Sequence, residues 1–149
     1  MSECIFCRIL DGTCAATFIH RDERVAAFMD IQPVNPGHLL VIPTHHAEGL
    51  ADLDPETGGE LFRTAQRMAQ ALRQSGLRCE GVSLSLADGK AAMQEVPHVH
   101  LHVIPRFAGD GFGFQFSERD IARPDRAELD EAAERIRRAI DASRGPQER

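Results

Sequence analysis

No apolar run in this chain is long enough to cross a membrane: stretches such as Leu39 to Pro43 span a few residues, against the roughly 18 that a bilayer-crossing helix needs. The first residues, Met-Ser-Glu-Cys, contain no cationic segment followed by an apolar one, so no secretory signal is expected and the expected compartment is the cytoplasm. Lysine is almost missing. Lys90 is the only one, and nothing that would build a Schiff-base site surrounds it. Seventeen Lys and Arg against twenty-three Asp and Glu leave a net charge of −6, which argues against a nucleic-acid partner, because that affinity comes from clustered cations. There is no G-x-x-x-x-G-K-[ST] loop to cradle nucleotide phosphates and no His-Glu-x-x-His pair for zinc. Cysteines number four, and 149 residues can bury roughly 70% of their unfolded surface without disulfides. In a reducing compartment the close pair Cys4-x-x-Cys7 is a metal or redox candidate, whereas Cys14 and Cys79 read as small apolar residues.

Thr17 to His20 and Val25 to Phe28 flank the polar turn Arg21-Asp22-Glu23-Arg24 and predict a β-hairpin. The turn-rich segment Gln32 to Gly37 leads into a strand over His38 to Ile42, stopped at Pro43. From Pro55 to Gln74 the residues Leu61, Ala65, Met68, Ala69 and Leu72 fall at helical spacing, with Asp54 as N-cap and Gly76 beyond the end. Val82, Leu84 and Leu86 alternate with serines in a half-buried strand that stops at Asp88-Gly89. A last strand is expected over Pro97 to Ile104, ending at Pro105, and a second helix from about Arg126 to Ala142 with Leu129, Ala133, Ile136 and Ile140 on one face. Between them, glycines 109, 111 and 113 interleave with Phe112, Phe114 and Phe116 in what reads as an ordered, partly buried loop, and the tail after Ser143 should fray. The pattern is a single α+β domain over 1–149 with a mainly antiparallel sheet of about five strands, one long helix and a C-terminal helix.

Three of the seven histidines sit in five residues, His98-Val99-His100-Leu101-His102. Side chains of an extended chain alternate, so the three imidazoles share one face while Val99, Leu101 and Val103 share the other, toward the core. Such a row can bind anions, relay protons or hold a metal. A metal-hydrolase site is the weaker reading, because no carboxylate follows His102 closely enough to complete a facial triad.

The motif His98-x-His100-x-His102 resembles the signature of the histidine triad family of nucleotide hydrolases and transferases. Cys4-Ile5-Phe6-Cys7-Arg8-Ile9, Phe28-Met29-Asp30-Ile31-Gln32-Pro33, Pro36-Gly37-His38-Leu39-Leu40-Val41-Ile42-Pro43 and Gln94-Glu95-Val96-Pro97 resemble further blocks of its bacterial members, in the same order, over about 4–112. The remainder, about 113–149, is a helical extension that the resemblance does not cover. The resemblance implies that His100 attacks the α-phosphate of a purine nucleotide conjugate to form a nucleotidyl-histidine, which water then resolves. His102 would bind phosphate oxygens or the departing group and His38 would orient the triad. Ile5, Phe6, Phe28, Ile31 and Leu40 would wall the base pocket, Asp30 would take the ribose hydroxyls, and Gln94 would contact substrate. Cys4, Cys7, His46 and His98 would hold a structural zinc, with His45 the rival for the third position, while no catalytic metal is expected. The family also implies a twofold homodimer. Phosphoramidates, dinucleoside polyphosphates and acyl-nucleotides are the candidate substrates, and a catalytically weak nucleotide- or partner-binding protein is the alternative. Three residues depart from common family usage: Met93 replaces glycine, Ala87 replaces asparagine, and Glu95 stands where the phosphoramidase branch carries serine.

Overall fold

The computed structural model describes residues 4–117 and 123–145. Strands β1 (Phe18–Arg21), β2 (Val25–Met29), β3 (Leu39–Pro43), β4 (Gly81–Leu86) and β5 (Leu101–Arg106) form one antiparallel sheet in the order β1-β2-β3-β5-β4. Helices α1 (Ile5–Leu10), α2 (Pro55–Gln74) and α3 (Arg126–Ser143) complete the α+β architecture that the sequence implied. None of the helices among the described residues is long and apolar enough to cross a membrane.

The central strands β2 and β3 are apolar at nearly every position because both faces of the sheet are covered. Val25, Ala27, Leu39 and Val41 join Val99, Leu101 and Val103 in a core against Leu61, Ala65 and Leu72 of α2. Ala26, Phe28, Leu40 and Ile42 face the other way and pack with Phe6 and Ile9 of α1. The long helix starts where its residues demand: the Asp54 carboxylate accepts the Thr57 N–H at 3.1 Å, and Pro55 takes a first-turn position whose N–H has no intrahelical acceptor. Its buried stripe also includes Thr64, which the apolar pattern omitted. The chain enters β3 through Gly37 at φ +101°, and a Cβ there would come within 2.9 Å of both Leu72 and Leu77. Only glycine meets the backbone angle and the close approach to α2 together.

The triad strand is shorter at its start than the sequence predicted. β5 begins at Leu101, and residues 97–100 form no ladder because their backbone is engaged elsewhere: the Val99 N–H bonds to the Ala47 carbonyl at 2.8 Å, and the His98 carbonyl accepts a side chain. The inward–outward alternation nevertheless persists through this extended stretch, with Val99, Leu101 and Val103 all in the α2-side core. At the other end Pro105 does not stop the strand, which continues to Arg106. Pairing with β3 ends at Val103, so the missing proline N–H falls beyond that ladder, while Pro105 still faces Val82 of β4.

The chain divides into two compact units, Met1–Phe112 and Gly113–Arg149. In the second, α3 opens with a reciprocal cap: Asp125 accepts the Glu128 N–H at 2.9 Å, and Glu128 accepts the Asp125 N–H at 3.0 Å. Its residues Leu129, Ile136 and Ile140 are exposed. The partly buried loop expected for the glycine-phenylalanine segment holds only for its first half, where the Asp110 side chain is buried against Arg106 and Asn35; Phe114 and Phe116 are 92% and 73% exposed. The two rings lie against each other with centroids 6.2 Å apart. The expected fraying of the tail falls partly on 146–149, outside the described residues.

Candidate functional site

The register of β3 with β5 sets Leu40 opposite His102, and this brings His38, one residue before β3, to the triad. His38 Nε2 lies 2.8 Å from His102 Nδ1. The direction of that bond follows from the far side of the ring, where the Val34 backbone N–H donates to His38 Nδ1 at 3.0 Å. A ring nitrogen that accepts carries no proton, so neutral His38 holds its hydrogen on Nε2 and donates to His102 Nδ1. His102 in turn keeps its own hydrogen on Nε2. Neutrality has a physical cause in both: burial pushes His38 down, against the pull of the Asp30 carboxylate, and burial followed by the neighbouring His100 and His38 lowers His102 to about 4.

His100 is oriented differently. Its Nδ1 sits 2.7 Å from the carbonyl oxygen of His98. A carbonyl can only accept, so the hydrogen is on Nδ1 and the lone pair on Nε2. The ring is 6% exposed and packs edge-on to Phe6 at 5.2 Å. It lies on the wall of a cavity of about 790 Å³ that also takes in His38 and His102. The expected base-pocket residues Ile5, Phe6, Phe28, Asp30, Ile31 and Leu40 all line this cavity. Gln94 does not. Its amide is engaged by the Gly89 N–H at 2.7 Å and by the carbonyls of Glu48 and Val96 at 2.7 and 3.0 Å, so it fixes the loop before the triad. Further lining residues are Met93, Glu95, Ile104 and Phe112. Ile104 could have been found by continuing the two-residue period past His102, whereas Phe112 was hidden in a segment read as loop. The glycine-to-methionine departure is visible in the backbone: Met93 has φ 68° and ψ 30°, the only positive φ outside glycine among the described residues.

Asp30 supplies the carboxylate that the sequence near His102 lacked. One oxygen accepts the Gln32 N–H at 2.8 Å, while the other lies 3.4 Å from His38 Nε2 and 3.8 Å from His102 Nδ1. Two histidines and a carboxylate within 4.8 Å have the composition of a metal site. The Val34 amide argues otherwise, because it holds the proton of His38 on the nitrogen a metal would need. The cluster is a hydrogen-bonded relay.

A family model for the HIT domain matches residues 12–109. The chain belongs to the HIT family. It is 39% identical over 116 residues to a HIT-like protein of Borreliella burgdorferi, covering 77% of this chain and 84% of that one. A Zn-bound histidine triad family protein from Mycobacterium smegmatis superposes with TM-score 0.72 at 40% identity, covering 87% and 97% of the two chains. A histidine triad nucleotide-binding protein from Sulfolobus tokodaii gives TM-score 0.68 at 28% identity over 98% and 99%.

This HIT chain gathers a second cluster on the far side of His98. Cys4, Cys7, His46 and His98 present four ligand atoms within 4.8 Å of one another, and His45 is not among them. His98 Nδ1 lies 3.4 and 3.7 Å from the two sulfurs and 3.3 Å from His46 Nδ1, and Cys7 Sγ lies 3.4 Å from His46 Nδ1. A tetrahedral ion with metal–nitrogen bonds of about 2.05 Å and metal–sulfur bonds of about 2.3 Å requires edges of about 3.3–3.8 Å. The remaining nitrogen of His98 donates to the Pro43 carbonyl at 2.9 Å, which leaves Nδ1, the nitrogen facing the cluster, unprotonated, whereas at His38 the nitrogen facing its cluster carries the hydrogen. Burial, together with His46 and His100, lowers the pKa of His98 despite that bond, so the ring is neutral as a ligand must be.

Proposed function

We propose that this HIT protein transfers nucleotidyl groups to water through a covalent bond to His100. One observation carries the reading: the carbonyl of His98 fixes the hydrogen of His100 on Nδ1 and presents the Nε2 lone pair in a cavity already provided with a phosphate-binding donor. The nucleoside of a 5′-monophosphate conjugate lies among Ile5, Phe6, Phe28, Ile31 and Leu40, apolar walls that suit a purine, with Asp30 near its ribose. Nε2 of His100 attacks the α-phosphorus as the bond to the leaving group breaks. The leaving group departs with the bonding pair and takes a proton from solvent, and that proton is returned when water cleaves the phosphorus–nitrogen bond. Positive charge growing on the His100 ring is stabilised by the fixed His98 carbonyl, and His102 donates from Nε2 to a non-bridging oxygen, held in that tautomer by His38.

Zinc is the ion we assign to Cys4, Cys7, His46 and His98, supported by the donor geometry and by the Zn-bound relative. When bound it cross-links the start of α1 to the segments after β3 and before β5. We further propose a twofold dimer through β4, an edge strand whose Leu84 is exposed.

The test compares AMP release from an adenosine phosphoramidate and from diadenosine tetraphosphate by the wild type and by His100→Ala. Release that falls at least about a hundredfold in the variant supports the proposal. AMP binding with equally negligible release by both proteins would instead support a nucleotide-binding module.

A further inference from the structure

The nucleoside accounts for the part of the cavity that lies toward α1 and β2. On the β4 side of His102, whose register partner on that strand is Ser85, the cavity is lined by Ser85 and Ala87, and its lining also takes in Met93, Glu95, Ile104 and Phe112. We propose that this part of the lining forms a leaving-group site selecting an apolar body that carries a positive charge, with Glu95 as the residue that sets the preference. The inference rests on the nucleotidyl-transfer reading and concerns which conjugate the same site takes.

The charge inventory of the cavity supports it. Among the described residues no lysine or arginine lines it, and its carboxylates are Asp30 and Glu95. His38 and His102 do not offset them, since burial holds both below their ordinary range. A polyphosphate leaving group brings several negative charges and is held in proteins by Arg, Lys or a metal. Arg106 lies near this end, but its charge is committed. It forms a bidentate pair with Asp110 at 2.6 and 2.7 Å and also donates to Ser83.

Glu95 is presented by a fixed loop. The side chain of Gln94, the preceding residue, is tied to Gly89, Glu48 and Val96, and Glu95 itself forms no ion pair among the described residues. Phe112 supplies the apolar surface. Its carbonyl is held by Arg106, its N–H bonds to Asp110 at 3.2 Å, and the Arg106 guanidinium lies 4.9 Å from its ring. Asn35 locks Asp110 from behind at 2.9 Å and also donates to the Pro105 carbonyl at 2.9 Å. The ring is therefore a positioned wall of the cavity, 47% exposed.

The experiment measures kcat/KM of the full chain on adenosine phosphoramidates of three phenethylamines that differ only in a para substituent: aminomethyl, hydrogen or carboxylate. Diadenosine tetraphosphate is the fourth substrate. The expected order is cationic, neutral, anionic, with the tetraphosphate slowest. Glu95→Gln should narrow the cationic-to-anionic ratio by about tenfold or more, and Glu95→Lys should invert it. Because each ratio is internal to one variant, a loss of folded protein does not mimic the result. Phe112→Ala should raise KM for the phenethylamine conjugates more than for the phosphoramidate of methylamine, added as a conjugate that lacks the ring. Turnover with a charge order that Glu95→Gln and Glu95→Lys leave unchanged overturns this inference alone. No turnover of any conjugate by the wild type overturns the nucleotidyl-transfer reading and this inference with it.

Discussion

One backbone amide decides the chemistry of the relay. Because Val34 donates to His38, protons run from His38 to His102 to the ligand, and both rings stay neutral in a buried setting. A histidine whose pKa is depressed by folding stabilises fully above its unfolded value of about 6.5, and that stability is lost as pH falls toward the folded value. For His102, lowered to about 4, the window is therefore pH 6.5 down to 4, and its contribution is on the order of 2 kcal/mol. Denaturant midpoints across this range should fall steadily in the wild type and more shallowly in His102→Gln. Met93 makes the opposite kind of prediction. Its left-handed backbone burdens an 82% exposed side chain, so Met93→Gly should raise stability by about 1 kcal/mol, measured by urea unfolding. The spacing of the histidines was legible in the sequence. The tautomers were not, because they depend on a main-chain donor four residues from His38 and a carbonyl two residues from His100.

At the scale of elements, α2 could be read from end to end because its cap, its first-position proline and its apolar period are all local. The start of β5 could not. An extended chain keeps its two-residue period whether or not a neighbour pairs with it, and the ladder begins only where β3 and β4 both reach it, at Leu101. The six-residue helix α1 depends on contacts far away in sequence. It carries Ile5 and Phe6 to the cavity while Cys4 and Cys7 reach His46 and His98. Metal analysis of untagged protein should give about one zinc per chain, and Cys4→Ser or Cys7→Ser should lose most of it. Melting temperatures should fall by several degrees on chelation, as expected when an ion ties three segments together. Metal-free wild type with an unchanged melting temperature would remove zinc from the account.

At the scale of the molecule, every described residue lining the cavity belongs to the unit Met1–Phe112. The sequence resemblance ended near the same residue. For the exposed Phe114, Phe116 and apolar positions of α3, amphipathic spacing alone names no partner. Light scattering at micromolar concentration should give twice the chain mass of 16.5 kDa, and a charge placed on the β4 edge by Leu84→Glu should shift the mass toward the monomer. A monomeric wild type would contradict the proposed pairing. The central claim, however, is covalent. The most direct test is to quench the wild type during turnover of an adenosine phosphoramidate and locate the modification by mass spectrometry of the peptide that contains residues 98–102. The account predicts one adenylyl group on His100, absent in His100→Ala. Turnover with no adduct at any time, or an adduct on another residue, would contradict it.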